Sequence, residues 1–149
     1  MFDRQVKLEK ITMHMFRILK VHGPWIGLMI AITIESSFSD VEVPDLGLEF
    51  ADKIYHFTVF GVLGVFLIRG MLLAAYRALK NHPFAATLII GAVFALSDEI
   101  HQSFVPGRSM DAYDWIADVL GIALFSLGYV WYLRKRGAVT EPEAGAKSP

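Results

Sequence analysis

The sequence predicts an all-α protein, a four-helix transmembrane bundle with its N- and C-termini cytoplasmic. Three observations predict it. The first is four apolar runs, Val21–Ile34, Ile54–Ile68, Pro83–Ser97 and Val119–Leu133, of 14 or 15 residues each. They are apolar all round, as in LIIGAVFAL, where a soluble bundle would show polar faces at helical spacing. The second is composition: 54% of the 149 residues are hydrophobic, the mean hydropathy is +0.45, and this is high for a soluble domain. The third is where the charges fall. Lys and Arg gather before the first run (Arg4, Lys7, Lys10, Arg17, Lys20), between the second and third (Arg69, Arg77, Lys80), and after the fourth (Arg134, Lys135, Arg136). The other two connections carry only Lys53 and Arg108. The positive-inside rule then places both termini and the middle connection in the cytoplasm, with the two acidic connections outside.

The elements follow in order. Residues 1–20 mix apolar and basic side chains. They read equally as an interfacial amphipathic helix or as a cytoplasmic extension of span one. Proline is tolerated in a first helical turn, so Pro24 is a candidate start for the span proper. No small-residue cleavage site follows Ile34, so an uncleaved first span is expected. The acidic stretch after it carries Asp40, Glu42, Asp45 and Glu49, with Pro44 and Gly47 against a regular helix. It reads as a solvated linker or as a flap folded over the outer face. Span two starts at Asp52-Lys53, and Arg69 lies near its inner end, within snorkelling reach of the interface. Asn81-His82-Pro83 reads as the cap region of span three, and Pro106-Gly107 as a turn. Span four runs from about Asp114 to Leu133, with Trp115, Tyr129, Trp131 and Tyr132 as interface aromatics. Residues 137–149 are small and polar and are expected to be disordered. The domain reading is therefore a basic segment (1–20), a membrane domain (21–136) and a tail (137–149). Gly61 and Gly64, and Ala117, Gly121 and Gly128, suggest close helix contacts.

Each run is shorter than the roughly 20 residues that cross a bilayer. Each span must therefore draw in polar neighbours: Glu35, Asp52 with His56, Asp98 with Glu99, and Asp114 with Asp118. Helical spacing puts Asp52 and His56 on one face, Asp98 and Gln102 on another, and Asp114, Asp118 and Gly121 on a third. A charge at a helix centre costs about 2.5–3.5 kcal/mol on insertion scales. The stripes are therefore expected to turn inward, paired with Lys53, His56 and Arg108, as an outward-open pocket. Binding candidates are Asp52, Lys53, His56, Asp98, Glu99, Gln102, Arg108, Asp114 and Asp118. Catalytic candidates are His56, Glu99 and Asp118, with Glu99 and Asp118 the better acid–base pair because Asp98 and Glu99 point about 100° apart on one helix. His101 faces away from Glu99 and Gln102. Asp111 reads as a cap of span four.

The chain has no cysteine, which excludes disulfides, thiolate metal sites and cysteine nucleophiles. Asp52, His56, Asp98, Glu99 and Asp118 would suit Mg²⁺, Mn²⁺ or Zn²⁺, but no dense local ligand motif is present, so no metal or other cofactor is expected. No basic surface points to nucleic acid. The expected partners are the lipid bilayer and an amphiphilic or lipid-linked envelope ligand; oligomeric state is not encoded.

The segments DKIYHF, SDEIHQSFVPGR and DWIADVLG resemble the VanZ-like family of small bacterial integral membrane proteins. The ordered set is Asp52, Lys53, His56; Asp98, Glu99, Gln102; Pro106, Gly107, Arg108; and Asp114, Asp118, Gly121. The resemblance covers about Asp52 to Gly128. Asp118 stands where the family often has Asn, which adds an acid to the cluster. The resemblance implies a multi-pass protein of the cytoplasmic membrane, and the namesake is linked to resistance to the glycopeptide antibiotic teicoplanin. It supplies a cell-envelope context and no reaction. Two functions are weighed first: a pocket that binds or modifies an envelope component, and a non-catalytic scaffold whose polar cluster is structural. Ion or proton movement is a third, opposed by the lack of ionisable groups in the inner part of the spans.

Overall fold

The computed structural model describes residues 2–38 and 51–137. Five helices follow one another: α1 (Phe2–Glu35), α2 (Ala51–Leu73), α3 (Arg77–Asn81), α4 (Pro83–Gln102) and α5 (Ala112–Lys135). Four of them, all but α3, are long and apolar enough to cross a membrane. The acidic stretch with Asp40, Glu42, Asp45 and Glu49, and the tail from residue 138, lie outside the described residues.

Phe2–Lys20 continues the first span as one helix. At 1.5 Å per residue the 34 residues of α1 reach about 51 Å, longer than a hydrocarbon core of about 30 Å. Pro24 does not start the helix; it lies inside it. A proline lacks the N–H that would bond the carbonyl four residues back, here that of Lys20. Arg69 of α2 stands in for that donor, with Nη1 at 3.4 Å from the Lys20 carbonyl oxygen. The two helices are close at this level, because a Cβ on Gly70 would lie 2.9 Å from the Trp25 indole.

α2 is the central helix, packed against α1, α4 and α5. Its buried residues include His56, Phe60, Leu63, Leu67, Ile68 and Met71. Its neighbours keep lipid-type faces. Ile89, Val93, Leu96 and Ile100 form an exposed stripe on α4, and Leu120, Leu124, Leu127 and Trp131 one on α5. The buried apolar core joins Ile32, Phe60, Leu63, Leu67, Met71, Ala95 and Ile122.

α2 and α5 run parallel in close register. His56 lies opposite Asp118 and Gly64 opposite Ser126, each pair 62 residues apart. Glycine makes this approach possible. A Cβ on Gly64 would stand 2.7 Å from the Ile122 carbonyl oxygen, and one on Gly121 would collide with the Phe57 carbonyl oxygen. Gly61 meets only the movable Phe125 ring, and Gly128 faces open space. The small-residue pattern therefore marks a true contact at Gly64 and Gly121 and none at Gly128. The Ser126 hydroxyl donates to the Gly64 carbonyl at 3.0 Å within this seam. Ser126→Ala is expected to lower stability by about 0.6–1 kcal/mol, the usual range for a buried bond between membrane helices. Unfolding of the purified protein in mixed micelles, followed by circular dichroism, checks this value.

α4 runs antiparallel to both α2 and α5. It starts at Pro83 in its first turn, where the missing N–H costs nothing. Its buried face reads Thr87, Gly91, Ala95, Asp98, Glu99 and Gln102. The Trp115 indole N–H donates to the Ala92 carbonyl at 3.1 Å, so Trp115 ties α5 to α4 rather than lying free at the interface. The other expected interface aromatics on α5 behave differently. Trp131 and Tyr132 are exposed, with Lys135 and Arg136 over their rings at 4.0 and 4.8 Å.

Candidate functional site

The alternating helix directions bring one end of α1, α2, α4 and α5 together. α1 and α4 end there, and α2 and α5 begin there. Arg69, Arg77, Lys80 and Arg134–Arg136 lie at the opposite end. The polar residues drawn from the span ends meet at this shared level, and most are buried. Ser36, His56, Asp98, Glu99, Gln102, Asp114 and Asp118 are all buried.

Local sequence explains each position. Asp98 and Gln102 are one helical turn apart on α4, so Gln102 Nε2 can donate to Asp98 Oδ2, at 2.9 Å. The other Asp98 oxygen accepts from the Ser36 hydroxyl of α1 at 2.6 Å. Ser36 itself was not legible as a site residue. The ESSFSD stretch offers several hydroxyls, and only the rotation of α1 selects one. Next to it, the Ser37 hydroxyl lies 3.0 Å from His101 Nε2. His101 thus faces α1 outside the cluster, as its helical angle predicts.

The turn at Pro106-Gly107, with Gly107 at φ +83°, delivers Arg108 back over the end of α4. Its Nη2 donates to Gln102 Oε1 at 2.9 Å. The expectation was an ion pair. Among the described residues no carboxylate pairs with Arg108, and Lys53 is the cation that takes the rim acids. Lys53 Nζ lies 2.7 Å from Asp114, 3.0 Å from Asp111 and 3.9 Å from Asp52.

Asp111 has more roles than capping. Its Oδ1 accepts the Tyr113 N–H at 2.8 Å, which is the cap of α5. Its Oδ2 receives Lys53. These contacts, the Tyr113 amide first and Lys53 second, hold its carboxyl below the usual carboxylate range. Its own backbone N–H donates to Glu99 Oε2 at 2.8 Å, which anchors the second carboxylate of α4.

Deepest lies a trio from three helices: His56 of α2, Glu99 of α4 and Asp118 of α5. His56 Nδ1 is 3.1 Å from Asp118 Oδ1, and His56 Nε2 faces Asp52 Oδ1 at 4.0 Å. Glu99 is 1% exposed and Asp118 0%. One donor atom from each of the three lies within 4.8 Å of the others. Glu99 Oε1 and Asp118 Oδ2 find no hydrogen-bond partner among the described residues. Buried carboxylate oxygens left this way are costly, and native proteins seldom keep them without a use. Chemically, the site offers acid–base groups below and cations with hydrogen-bond donors at the rim. All nine sequence-selected binding residues lie at this end of the bundle.

Comparison with known proteins agrees with this picture. The profile of the VanZ/LLP1 family matches residues 3–134, so span one lies within the family unit, beyond the Asp52–Gly128 stretch legible from motifs. A fission yeast protein (Schizosaccharomyces pombe), an uncharacterised protein designated C11E3.10, is 29% identical over 112 residues. That similarity covers 74% of this chain, and the chain spans 65% of the yeast protein's length. The likeness is therefore not confined to bacteria. No solved structure matches the chain significantly. A profile match over nearly the whole described bundle, together with the ordered Asp-Lys, Asp-Glu and Arg108 motifs meeting at one end of four apolar helices, makes this chain a multi-pass membrane protein that belongs to the VanZ/LLP1 family.

Proposed function

We propose that this protein resides in the cytoplasmic membrane with its polar cluster facing outward, and binds the anionic head group of an amphiphilic envelope component there. Orientation follows from charge. The end opposite the cluster carries Arg69, Arg77, Lys80 and Arg134–Arg136, and cationic ends stay in the cytoplasm. The observation that carries the reading is Arg108. It is half-buried, fixed through a neutral amide, and makes no ion pair among the described residues. A planar guanidinium held in this way suits a phosphate or carboxylate in bidentate geometry. Beneath it, His56, Glu99 and Asp118 supply groups that could hold or move a proton during modification of the ligand. A lipid-linked phosphate is an amphiphile that carries such an anion. By resemblance, altered sensitivity to glycopeptide antibiotics is the cellular readout.

Native mass spectrometry of the purified protein with added polyprenyl phosphate tests the binding step. Wild type is expected to retain the lipid. Arg108→Ala should lose at least about tenfold in affinity, roughly 1.4 kcal/mol, while Arg108→Lys keeps part of it. Equal retention by wild type and Arg108→Ala rejects the pocket. A second reading, a non-catalytic scaffold, is favoured by Asp98, whose two oxygens are both occupied by bonds from Ser36 and Gln102. Under that reading, Arg108→Ala changes thermal stability alone.

A further inference from the structure

We propose that His56, Glu99 and Asp118 form a binding site for one divalent transition-metal ion, Zn²⁺ or Mn²⁺. The inference goes beyond the head-group reading and does not depend on it. Three observations carry it. One donor atom from each residue lies within 4.8 Å of the others, and all three residues are buried. Ligands about 2.0–2.2 Å from a shared ion stand roughly 3–4 Å apart, so the three groups would draw together around the ion to complete the site. Second, one oxygen of Glu99 and one of Asp118 are buried with no hydrogen-bond partner among the described residues. These are the donor atoms that a cation would engage. Third, the carboxylates of the cluster outnumber its cations. Lys53 is committed to Asp111 and Asp114, and Arg108 to Gln102.

A divalent ion balances two carboxylates charge for charge, which a dry site requires. The imidazole selects the class of metal. Mg²⁺ and Ca²⁺ prefer all-oxygen shells, whereas Zn²⁺ and Mn²⁺ accept a mixed nitrogen and oxygen set. The surroundings also resemble an outer shell. His56 Nε2 faces the Asp52 carboxylate at 4.0 Å, and Nδ1, on the Asp118 side, would be the ligand atom. The Asp111 N–H holds the other Glu99 oxygen. A second grouping, Asp52, His56 and Asp114, also comes within range, but Asp52 is exposed and Asp114 is already taken by Lys53. The absence of a local ligand motif does not oppose the site. Each ligand comes from a different helix, so no local motif would exist. Three protein ligands leave an open position for water or a ligand oxygen.

The test uses tag-free protein in detergent micelles, stripped with chelator and dialysed. Mn²⁺ is titrated and followed by the electron paramagnetic resonance signal of the free ion. Zn²⁺ is followed by displacement of bound Mn²⁺ and by elemental analysis. Wild type should take up one equivalent of Mn²⁺ or Zn²⁺ per chain. Glu99→Gln and Asp118→Asn should each weaken binding at least about tenfold. Arg108→Ala should leave metal affinity unchanged, which separates this site from the head-group reading. Failure of wild type to bind either ion stoichiometrically overturns the proposal, whatever the folding of the variants. So does uptake by Glu99→Gln and Asp118→Asn equal to that of wild type.

Discussion

Gly121→Ala should destabilise the bundle by about 3 kcal/mol, the upper part of the usual range for overpacking a tight contact. The added methyl would overlap the Phe57 carbonyl oxygen and stand 3.0 Å from the Phe57 carbonyl carbon and 3.1 Å from the Gly61 nitrogen. Those are backbone atoms of α2, so no side chain can turn aside. Relief requires α5 to move off α2, and that motion would also pull Asp118 from His56 and Ser126 from Gly64. Gly128→Ala is the control. Gly128 faces open space on the same helix, and replacing a helical glycine there should leave stability unchanged or raise it by up to about 1 kcal/mol. Unfolding in mixed micelles measures both. If the two substitutions behaved alike, the parallel α2–α5 seam would be wrong.

Removing His56 should have an effect at least as large. His56→Leu keeps an apolar side chain of similar bulk beside Phe60 but leaves Asp118 buried without its imidazole. Breaking a buried pair by deleting one partner costs about 3–5 kcal/mol, because an uncompensated charge remains. Much of that loss should be recovered when Asp118→Asn is added, since a neutral amide carries no charge to strand. The double-mutant cycle, run with chelator present so that no metal contributes, isolates the coupling between the two side chains. A near-neutral His56→Leu would show that Asp118 is not held through the imidazole.

Much of the bundle was legible from local pattern. The four apolar runs correspond to four long helices, and except at the start of α1 each helix end falls within a few residues of where its polar flank suggested. Helical spacing identified Asp98 with Gln102 correctly, and the position of Asp111 identified the α5 cap. Lys53 was identified as an outer cation needing acids, and it found Asp111 and Asp114. Other readings failed for definite reasons. Pro24 was read as a candidate start of the span proper, yet it lies inside α1; Arg69 supplies a donor from another helix, and no window around Pro24 contains it. Trp115 looked like an interface anchor because it sits at a span end; the Ala92 carbonyl claims its indole instead. Arg108 was expected to meet a carboxylate, yet its guanidinium donates to the neutral Gln102 amide.

Hydropathy and the placement of Lys and Arg, read along the chain alone, determine four long apolar spans, the gathering at one end of the acids that flank them, and which residue types join them there. These properties are local, because insertion energy and helical spacing depend on neighbours within a turn or two. Only the tertiary structure decides that α2 and α5 lie parallel in contact at Gly121, that Ser36 reaches Asp98, and that His56, Glu99 and Asp118 converge with two carboxylate oxygens unpaired. Those outcomes depend on how far each helix is rotated and how deep it sits. Both are set by packing between segments about 60 residues apart, and no short-range pattern encodes them.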